Sequence, residues 1–447
     1  MARHHLIETS RLKETIPTAD LRPGMFVESL DRPWLETPFL LQGFLIENDE
    51  QLTLLRQHCA SAIVDFARSS GEFQRFRQRP LTSDAKLPIE RQFPVVDAAE
   101  PRDFLTIYQL LQTRSPKRYQ QAPTLSPVDG QSRLEAELLY SAPIVDDIKK
   151  TLESICTSLD TVHDGKLAEI TPLVGELAEA VKRNADALLW LTRLKSTDQY
   201  SYDHAVDVSV HLMMFGRFLN LPEEKIQQLG FAGIMQDVGK IRIPQEILNK
   251  PDRLTEDEYD LVQSHVASSL SMLEGQPGIT AAVLDIVAGH HERHDGSGYP
   301  RRLADEKIPL GAELAGMIDV YCAMTRKRSY NTAVSHQRAL ESLLATRGQQ
   351  FREPLVDQFI QCMGLYPVGT LVEMNTGEVA VVIQQNKVRR LQPRVLVVLA
   401  ADKSVERYPA TLDLMMHPQT PDGENYRIRR SLPPDAYGID PAELYLV

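Results

Sequence analysis

The chain has 447 residues, of which 43% are hydrophobic and 25% are charged, and its formal net charge is −12. This composition is typical of a globular protein with room for roughly three domains, and the acidic balance argues against binding to nucleic-acid polymers or anionic membranes, which attract an excess of Lys and Arg. Four widely separated cysteines, no apolar N-terminal segment and no apolar run near the roughly 18 residues of a membrane span argue against a disulfide framework and predict a cytoplasmic protein.

The first 75 residues have the pattern of a small α+β domain. A turn at Pro23-Gly24 precedes a short strand, and residues 39–46 are a second strand candidate. A helix over 51–56 then leads to a strand at 62–65. We interpret residues 1–75 as a separate N-terminal domain.

Residues 76–132 are rich in Arg, Gln, Pro and Ser and have little periodicity. We interpret them as a partly disordered linker with a short helix near 104–111. Helical spacing then runs through residues 133–195, where we expect two long connecting helices. Such helices are compatible with a homodimer and equally with packing onto the same chain.

Residues 196–362 have a helical pattern almost throughout. Thr255 and Glu258 match a capping box, and apolar residues follow at helical spacing before Gly275. These apolar residues are Tyr259, Val262, Val266, Leu270 and Leu273. The segment therefore predicts a helical domain.

The pattern changes to short strands in the C-terminal region, 363–447. Residues 370–374 and 378–383 flank an Asn-Thr-Gly turn, and residues 394–399 are a third strand candidate. The whole chain is therefore predicted to be mainly α, with a small α+β N-terminal domain and a β-rich C-terminal appendage.

Histidines concentrate in one window, because six of the chain's twelve lie between residues 200 and 300. A lone histidine on a helix is more often a surface or satisfied core residue than a ligand, and we assign His211 and His294 to that class. The remaining four gain weight from two aspartates in similar settings. The candidate set is His204, Asp237, His265, His290, His291 and Asp319.

These candidates lie on separate predicted helices, in or beside apolar stretches. Asp237 lies at a helix end, His290-His291 end the apolar run 281–288, and Asp319 interrupts an apolar segment. Ionisable groups that face the interior of a helical bundle are costly unless they pair or bind a cation. The pattern therefore predicts a metal site in the core of a bundle.

The region from 196 to 345 resembles the HD-GYP domain, a subgroup of HD-type metal phosphohydrolases whose members cleave the bacterial second messenger cyclic di-GMP. The matching elements, in chain order, are His204 in its Tyr-x-Tyr-x-His context, 237–244, 247–251, His265, 290–292, 295–300, 308–310 and 319–325. Residues 1–75 also look like the small regulatory domain found ahead of some such proteins, which is a weaker match.

The resemblance implies an HD-type helical bundle and metal-dependent hydrolysis of cyclic di-GMP to pGpG or GMP. It implies two divalent metal ions held by the six candidate ligands, with Asp237 between them, and mixed His and carboxylate ligation suits iron or manganese. Lys240 and the Gly298-Tyr299 turn would face the phosphate and guanine of the substrate, and Arg328 would add a phosphate contact. Asp237 and Lys240 are thus the implied catalytic residues.

Three positions depart from the family pattern. Gln236 stands where the namesake histidine precedes the aspartate, Cys322 replaces a usual Asp, and Asn331 replaces a usual basic residue. A glutamine can ligate through its carbonyl oxygen, but it is a poorer donor for iron or manganese.

Three readings follow from these departures. The first is a phosphodiesterase weakened by Gln236. The second is a catalytically silent module that binds cyclic di-GMP or a signalling protein. The third is an HD-type hydrolase of another nucleotide, against which the Gly298-Tyr299-Pro300 turn argues.

Overall fold

The computed structural model describes residues 13–32, 44–46, 49–66, 69, 73, 121–125, 131–157, 166–193, 200–326, 333–386, 389–406, 410–433 and 436–438. The chain divides into two compact units, 1–101 and 102–447. Most of the predicted linker 76–132, including the short helix near 104–111, lies outside the described residues. The domain boundaries at 75, 132, 195 and 362 remain predictions.

The described residues of the first unit form a four-stranded antiparallel sheet with one helix. Its elements are β1 (Lys13–Pro17), β2 (Phe26–Leu30), β3 (Phe44–Leu45), α1 (Asp49–His58) and β4 (Ser61–Asp65). The strand order is β1-β4-β2-β3. Apolar residues of the sheet and helix, such as Val27, Leu55 and Val64, share one small core. The predicted α+β character is confirmed, and residues 39–43 of one strand candidate lie outside the described part.

Among the described residues of the second unit, two long helices are followed by shorter ones. They are α2 (Leu134–Thr157), α3 (Lys166–Leu191), α4 (Tyr200–Phe218), α5 (Glu223–Met235), α6 (Gln245–Leu248), α7 (Glu256–Gln263), α8 (His265–Leu273), α9 (Ala281–Gly289), α10 (Leu310–Thr325), α11 (His336–Ala345) and α12 (Glu353–Met363). No helix among the described residues combines the length and apolar content that crossing a bilayer requires.

Helix α3 packs along α2 and bends at Asn184, whose backbone angles are not helical (φ −161, ψ 94). The Asn184 side chain stabilises the bend, because its Nδ2 donates to the Ser132 carbonyl at 2.8 Å and its Oδ1 accepts from the Ala187 N–H at 3.2 Å. Helices α4, α5 and α8 to α12 share one apolar core with α2 and α3. This mainly α architecture confirms the predicted fold class.

The capping box at Thr255 is present, since its side chain accepts from the Glu258 N–H and the Glu258 carboxylate accepts from the Thr255 N–H. The apolar residues after it do not lie on one helix, because the helix is interrupted at Ser264, between α7 and α8. Tyr259 also departs from the stripe, being 49% exposed, whereas Val266 and Leu273 are buried.

The C-terminal region forms a five-stranded antiparallel sheet with the order β8-β7-β6-β5-β9. The strands are β5 (Leu371–Met374), β6 (Val379–Gln384), β7 (Arg394–Leu399), β8 (Thr411–Asp413) and β9 (Ile428–Ser431). The predicted hairpin between β5 and β6 is confirmed, with Gly377 at φ +96 in its turn. Alternate residues of β6 join the helical core, and the Trp190 Nε1 of α3 donates to the Ile383 carbonyl at 2.8 Å.

Candidate metal centre

Five helices bring the six predicted ligands together. His204 lies on α4, Asp237 just after α5, His265 at the start of α8, His290 and His291 directly after α9, and Asp319 on α10. They form two clusters that share Asp237: one with His265, His290 and His291, and one with His204 and Asp319. Within each cluster the potential ligand atoms lie within 4.8 Å of one another.

The first cluster gathers three imidazoles around one carboxylate. Asp237 Oδ1 lies 3.2 Å from His265 Nε2 and 3.8 Å from His290 Nε2, and these two nitrogens are 3.5 Å apart. The rings of His290 and His291 have centroids 4.1 Å apart. His265 and His290 are buried, so their approach occurs away from solvent.

Backbone carbonyls determine which nitrogen of each ring faces the cluster. The Nδ1 of His265 donates to the Val262 carbonyl at 2.6 Å, and the Nδ1 of His290 donates to the Val287 carbonyl at 2.7 Å. A carbonyl only accepts, so Nδ1 of each ring carries a proton and Nε2 faces the cluster. Two such nitrogens and a carboxylate oxygen at these distances repel one another unless a proton or a metal cation lies between them.

Two atoms of this cluster also lack a hydrogen-bond partner in the described part of the chain, which is a second indication of a bound cation. Asp237 Oδ1 and His291 Nε2 are buried and have no hydrogen-bond partner among the described residues. Burial of an unpaired acceptor atom is unfavourable unless the atom binds an ion or accepts a hydrogen bond. The donor set of neutral imidazoles and carboxylates therefore fits a divalent transition metal.

The second cluster is smaller and contains the departure at Gln236. His204 Nε2 lies 2.8 Å from Asp319 Oδ1, so the two atoms share either a proton or a cation. The Gln236 Nε2 donates to the same Asp319 oxygen at 3.3 Å. The Gln236 Oε1 is buried without a hydrogen-bond partner in the described chain, so this neutral oxygen is available to a cation.

The pKa values of the site favour the charge states of ligands. Burial opposes ionisation of Asp237, but Lys240 and the neighbouring His265 and His290 rings hold its pKa well below the usual value. Burial likewise opposes ionisation of Asp319, and His204 lowers the pKa of that carboxyl. Burial lowers the pKa of His291 well below that of an ordinary histidine, so its ring is neutral. Two anionic carboxylates and a neutral imidazole are the forms that bind metals.

A serine holds the Asp237 segment against α8. The Ser269 hydroxyl donates to the Gln236 carbonyl at 2.9 Å and accepts from the Gly239 N–H at 2.8 Å. A Cβ at Gly239 would lie 2.2 Å from the His265 carbonyl oxygen, so this close approach requires glycine. The sequence analysis missed Ser269, because nothing in its local pattern separates it from the neighbouring serines.

The turn after the paired histidines covers one side of the first cluster. The Tyr299 ring stacks on His291 with centroids 4.5 Å apart and an interplanar angle of 20°. Burial and the nearby Tyr259 raise the pKa of Tyr299, so its phenol stays protonated. Gly298 is buried, and a Cβ there would lie 2.4 Å from the His291 carbonyl oxygen.

Glu292, which follows His290 and His291 in the histidine motif, anchors this turn. Its buried carboxylate accepts from the Arg301 N–H at 2.7 Å and from the Leu303 N–H at 2.8 Å. The residue therefore holds the far end of the loop that contains Tyr299. A glutamate beside two histidines signals a role in the site, but only the folded loop shows that the role is structural.

Lys240 lies at the edge of the site with its side chain 33% exposed. Its Nζ is 2.7 Å from Asp237 Oδ2, the carboxylate oxygen that faces away from the histidines. The ammonium group is thus placed between the metal cluster and solvent. Arg328 and Asn331, the other positions considered for phosphate contacts, lie outside the described residues.

A third cluster, of Asp207, His211 and Cys322, lies deeper in the bundle and is fully buried. Its negative charge is already balanced, because Arg326 Nε donates to Asp207 Oδ2 at 2.9 Å. The His211 Nδ1 also donates to the Asp207 carbonyl at 2.8 Å. Burial raises the pKa of the Cys322 thiol well above its usual value, so the thiol is protonated. His211 is therefore a core histidine whose Nδ1 is paired, while its buried Nε2 has no hydrogen-bond partner among the described residues.

Comparison with known proteins places this site in a family. The HD domain matches residues 185–353, and a domain of unknown function matches residues 13–154. The chain is 32% identical over 407 residues to a cyclic di-GMP phosphodiesterase of Pseudomonas aeruginosa, covering 91% of this chain and 90% of that protein. The chain belongs to the HD-GYP family.

A further relative and a solved structure match this chain with lower coverage. A cyclic di-GMP phosphodiesterase response regulator of Xanthomonas campestris is 38% identical over 144 residues, which is 32% of this chain and 38% of that protein. Among solved structures, an HDG"Y"P protein of Bdellovibrio bacteriovorus is 13% identical with a TM-score of 0.43, covering 78% of this chain and 98% of that one. HD domains are metal-dependent phosphohydrolases, and the two clusters described above are the candidate metal ligands of this HD-GYP chain.

Proposed function

We propose that this protein is a metal-dependent phosphodiesterase that hydrolyses cyclic di-GMP to pGpG or GMP. The observation that carries the proposal is the pair of ligand clusters joined by Asp237, with Lys240 at their solvent edge. The relatives in Pseudomonas aeruginosa and Xanthomonas campestris, which are named for this activity, support the choice of substrate.

The residues of the site have two roles, which are binding of the substrate and stabilisation of charge on its phosphate. Divalent cations bound here would supply a nucleophilic water at neutral pH and neutralise charge on the phosphate. Asp237 Oδ1 faces the histidines. Its Oδ2 accepts a hydrogen bond from the Lys240 ammonium at 2.7 Å and so positions that group. Lys240 is placed to bind a non-bridging phosphate oxygen, where its charge stabilises the transition state. Tyr299, whose phenol stays neutral, donates a hydrogen bond to the bound nucleotide.

We infer that the two metal positions are unequal. One cluster offers four charged or imidazole ligands, whereas the other offers His204, Asp237 and Asp319 with the weak oxygen of Gln236. Loss of a good ligand lowers metal affinity by at least the 10- to 100-fold known for outer-shell partners. The first position therefore binds iron or manganese tightly, and the second fills only at higher metal concentration.

A silent binding module is the second candidate, and one contact favours it. The Gln236 amide donates to Asp319, which occupies a carboxylate oxygen that the second ion would use. If that contact persists with metal present, cyclic di-GMP would bind without being cleaved. A homodimer, a signalling partner and a cytoplasmic location also remain proposals.

The test combines metal analysis with turnover. The purified protein is assayed for iron, manganese and zinc, then incubated with cyclic di-GMP and manganese, and the products are separated by chromatography. Linear pGpG or GMP supports the enzyme, and binding without product supports the silent module. Asp237→Asn is the control, because it should lose both metal and product. Metal below about a tenth of an equivalent would contradict the metal-dependent enzyme.

A further inference from the structure

Helix α7 lies beside the site but contributes little to the core. None of its residues, 256–263, is buried. It is held instead by the Thr255 capping box and by an ion pair in which Lys250 Nζ lies 2.6 Å from Glu258 Oε2. Two of its large apolar residues, Tyr259 and Leu261, are 49% and 39% exposed. Burial in the core therefore does not explain why these two positions are apolar.

Tyr259 differs from Leu261 in what it touches. Its ring meets Tyr299 edge to face, with centroids 6.4 Å apart and an interplanar angle of 77°. Tyr299 in turn stacks on the ligand His291, so one face of the Tyr299 ring is already covered. The three rings form a continuous aromatic series that leads from the metal cluster to solvent, and Tyr259 is its exposed end.

We propose that Tyr259 is a substrate-binding residue that stacks on a purine base of the cyclic dinucleotide while the phosphate lies at the metal cluster. This inference rests on the proposed function. An aromatic ring accepts any base through its π face, and removal of one stacking ring weakens binding of a nucleotide by about tenfold or more. Because Tyr299 is partly covered by His291, the exposed ring of Tyr259 is the surface that a base can use.

The test compares three variants of the manganese-loaded full chain. Tyr259→Ala is expected to raise the KM for cyclic di-GMP by about tenfold with a much smaller change in kcat, because stacking contributes mainly to binding. Tyr259→Phe keeps the ring and should retain most of the affinity. Leu261→Ala is the matched control from the same helix and should leave KM within about twofold of the original. An equal rise in KM for Leu261→Ala, or none for Tyr259→Ala, overturns the proposal.

A ligand without a base separates stacking from general damage. Inorganic phosphate, used as a competitive inhibitor, should have the same inhibition constant with Tyr259→Ala as with the original chain. A parallel loss for phosphate and cyclic di-GMP would mean that the substitution disturbs the metal site, and it would overturn the proposal.

The proposal is also testable if the protein proves to be a silent module. Calorimetric titration of cyclic di-GMP into the metal-loaded chain then replaces turnover, and Tyr259→Ala should raise Kd by about tenfold. An unchanged Kd overturns the stacking role while leaving the proposed binding intact. If the original chain neither cleaves nor binds cyclic di-GMP, the proposed function fails and the role of Tyr259 fails with it.

Discussion

Replacing Gln236 by histidine tests whether this single residue limits the second metal position. In the folded chain the Gln236 oxygen is a neutral donor, and its nitrogen donates to Asp319 at 3.3 Å. Gln236→His removes that amide hydrogen bond and adds an imidazole ligand to a cluster that has His204, Asp237 and Asp319. We expect the second ion to bind at least about tenfold more tightly, which corresponds to ~1.4 kcal/mol.

The assay is a calorimetric titration of manganese into the metal-free protein, followed by turnover of cyclic di-GMP across a manganese series. The tight first step should be unchanged, because the cluster of His265, His290 and His291 does not use residue 236. The second step should move to lower manganese concentration, and turnover should rise most where manganese is scarce. Gln228→His, on α5 and outside both clusters, controls for the mere addition of a histidine.

Two results would refute this reasoning. A second manganese step of unchanged affinity in Gln236→His would show that the glutamine oxygen is already an adequate ligand. Tighter manganese binding without any gain in turnover would show that the catalytic limit lies elsewhere in the site, and it would favour the silent module.

Three further predictions concern the residues that support the site. Lys149→Met should lower the free energy of unfolding by about 3–5 kcal/mol, because it removes the cation 2.5 Å from the buried Asp203 carboxylate. Adding Asp203→Asn should restore most of that loss in urea denaturation, and a double variant no more stable than the single one would count against the prediction. Glu292→Gln should cost about 1–3 kcal/mol, because its amide can accept at only one of the two backbone N–H groups it now serves, and an unchanged melting temperature would contradict this. Burial lowers the pKa of His336 well below its usual value, so the stability it contributes is present above about pH 6.5 and is lost as the pH falls through the folded pKa. His336→Gln should therefore flatten the decline of unfolding free energy below that pH, by up to about 1.4 kcal/mol per pH unit, and identical pH profiles for the two chains would refute it.

Three of the predicted ligands have an unusual local setting in the sequence, whereas the prediction of His204, Asp237 and His265 depends on their joint placement and on the family resemblance. His290 and His291 end an apolar helix, and Asp319 interrupts an apolar run, so both positions stand out within a few residues. The structure brings these residues together within the expected distances. Their roles as ligands stay a prediction that metal analysis can test.

The features that the sequence analysis missed depend on contacts between distant segments. Tyr259 fits the apolar period of its helix, but in the folded chain its ring is exposed beside Tyr299. Lys149 and Asp203 are 54 positions apart by number, and each alone looks like a surface charge. A sequence pattern shows which residues share one face of a helix. Whether that face is buried depends on which other helix packs against it.

The substitution at Gln236 leaves the arrangement of the cluster intact for a reason visible in the backbone contacts. The rings of His265 and His290 are oriented by the Val262 and Val287 carbonyls. The segment that carries Asp237 is held by Ser269, which bonds the Gln236 main chain and not its side chain. The geometry of the first cluster is thus independent of the side chain at position 236, while the affinity of the second cluster is not. We therefore propose that this chain can lose a second ion without losing its fold, and that the manganese concentration at which that ion binds decides whether the protein acts as an enzyme or as a binding module.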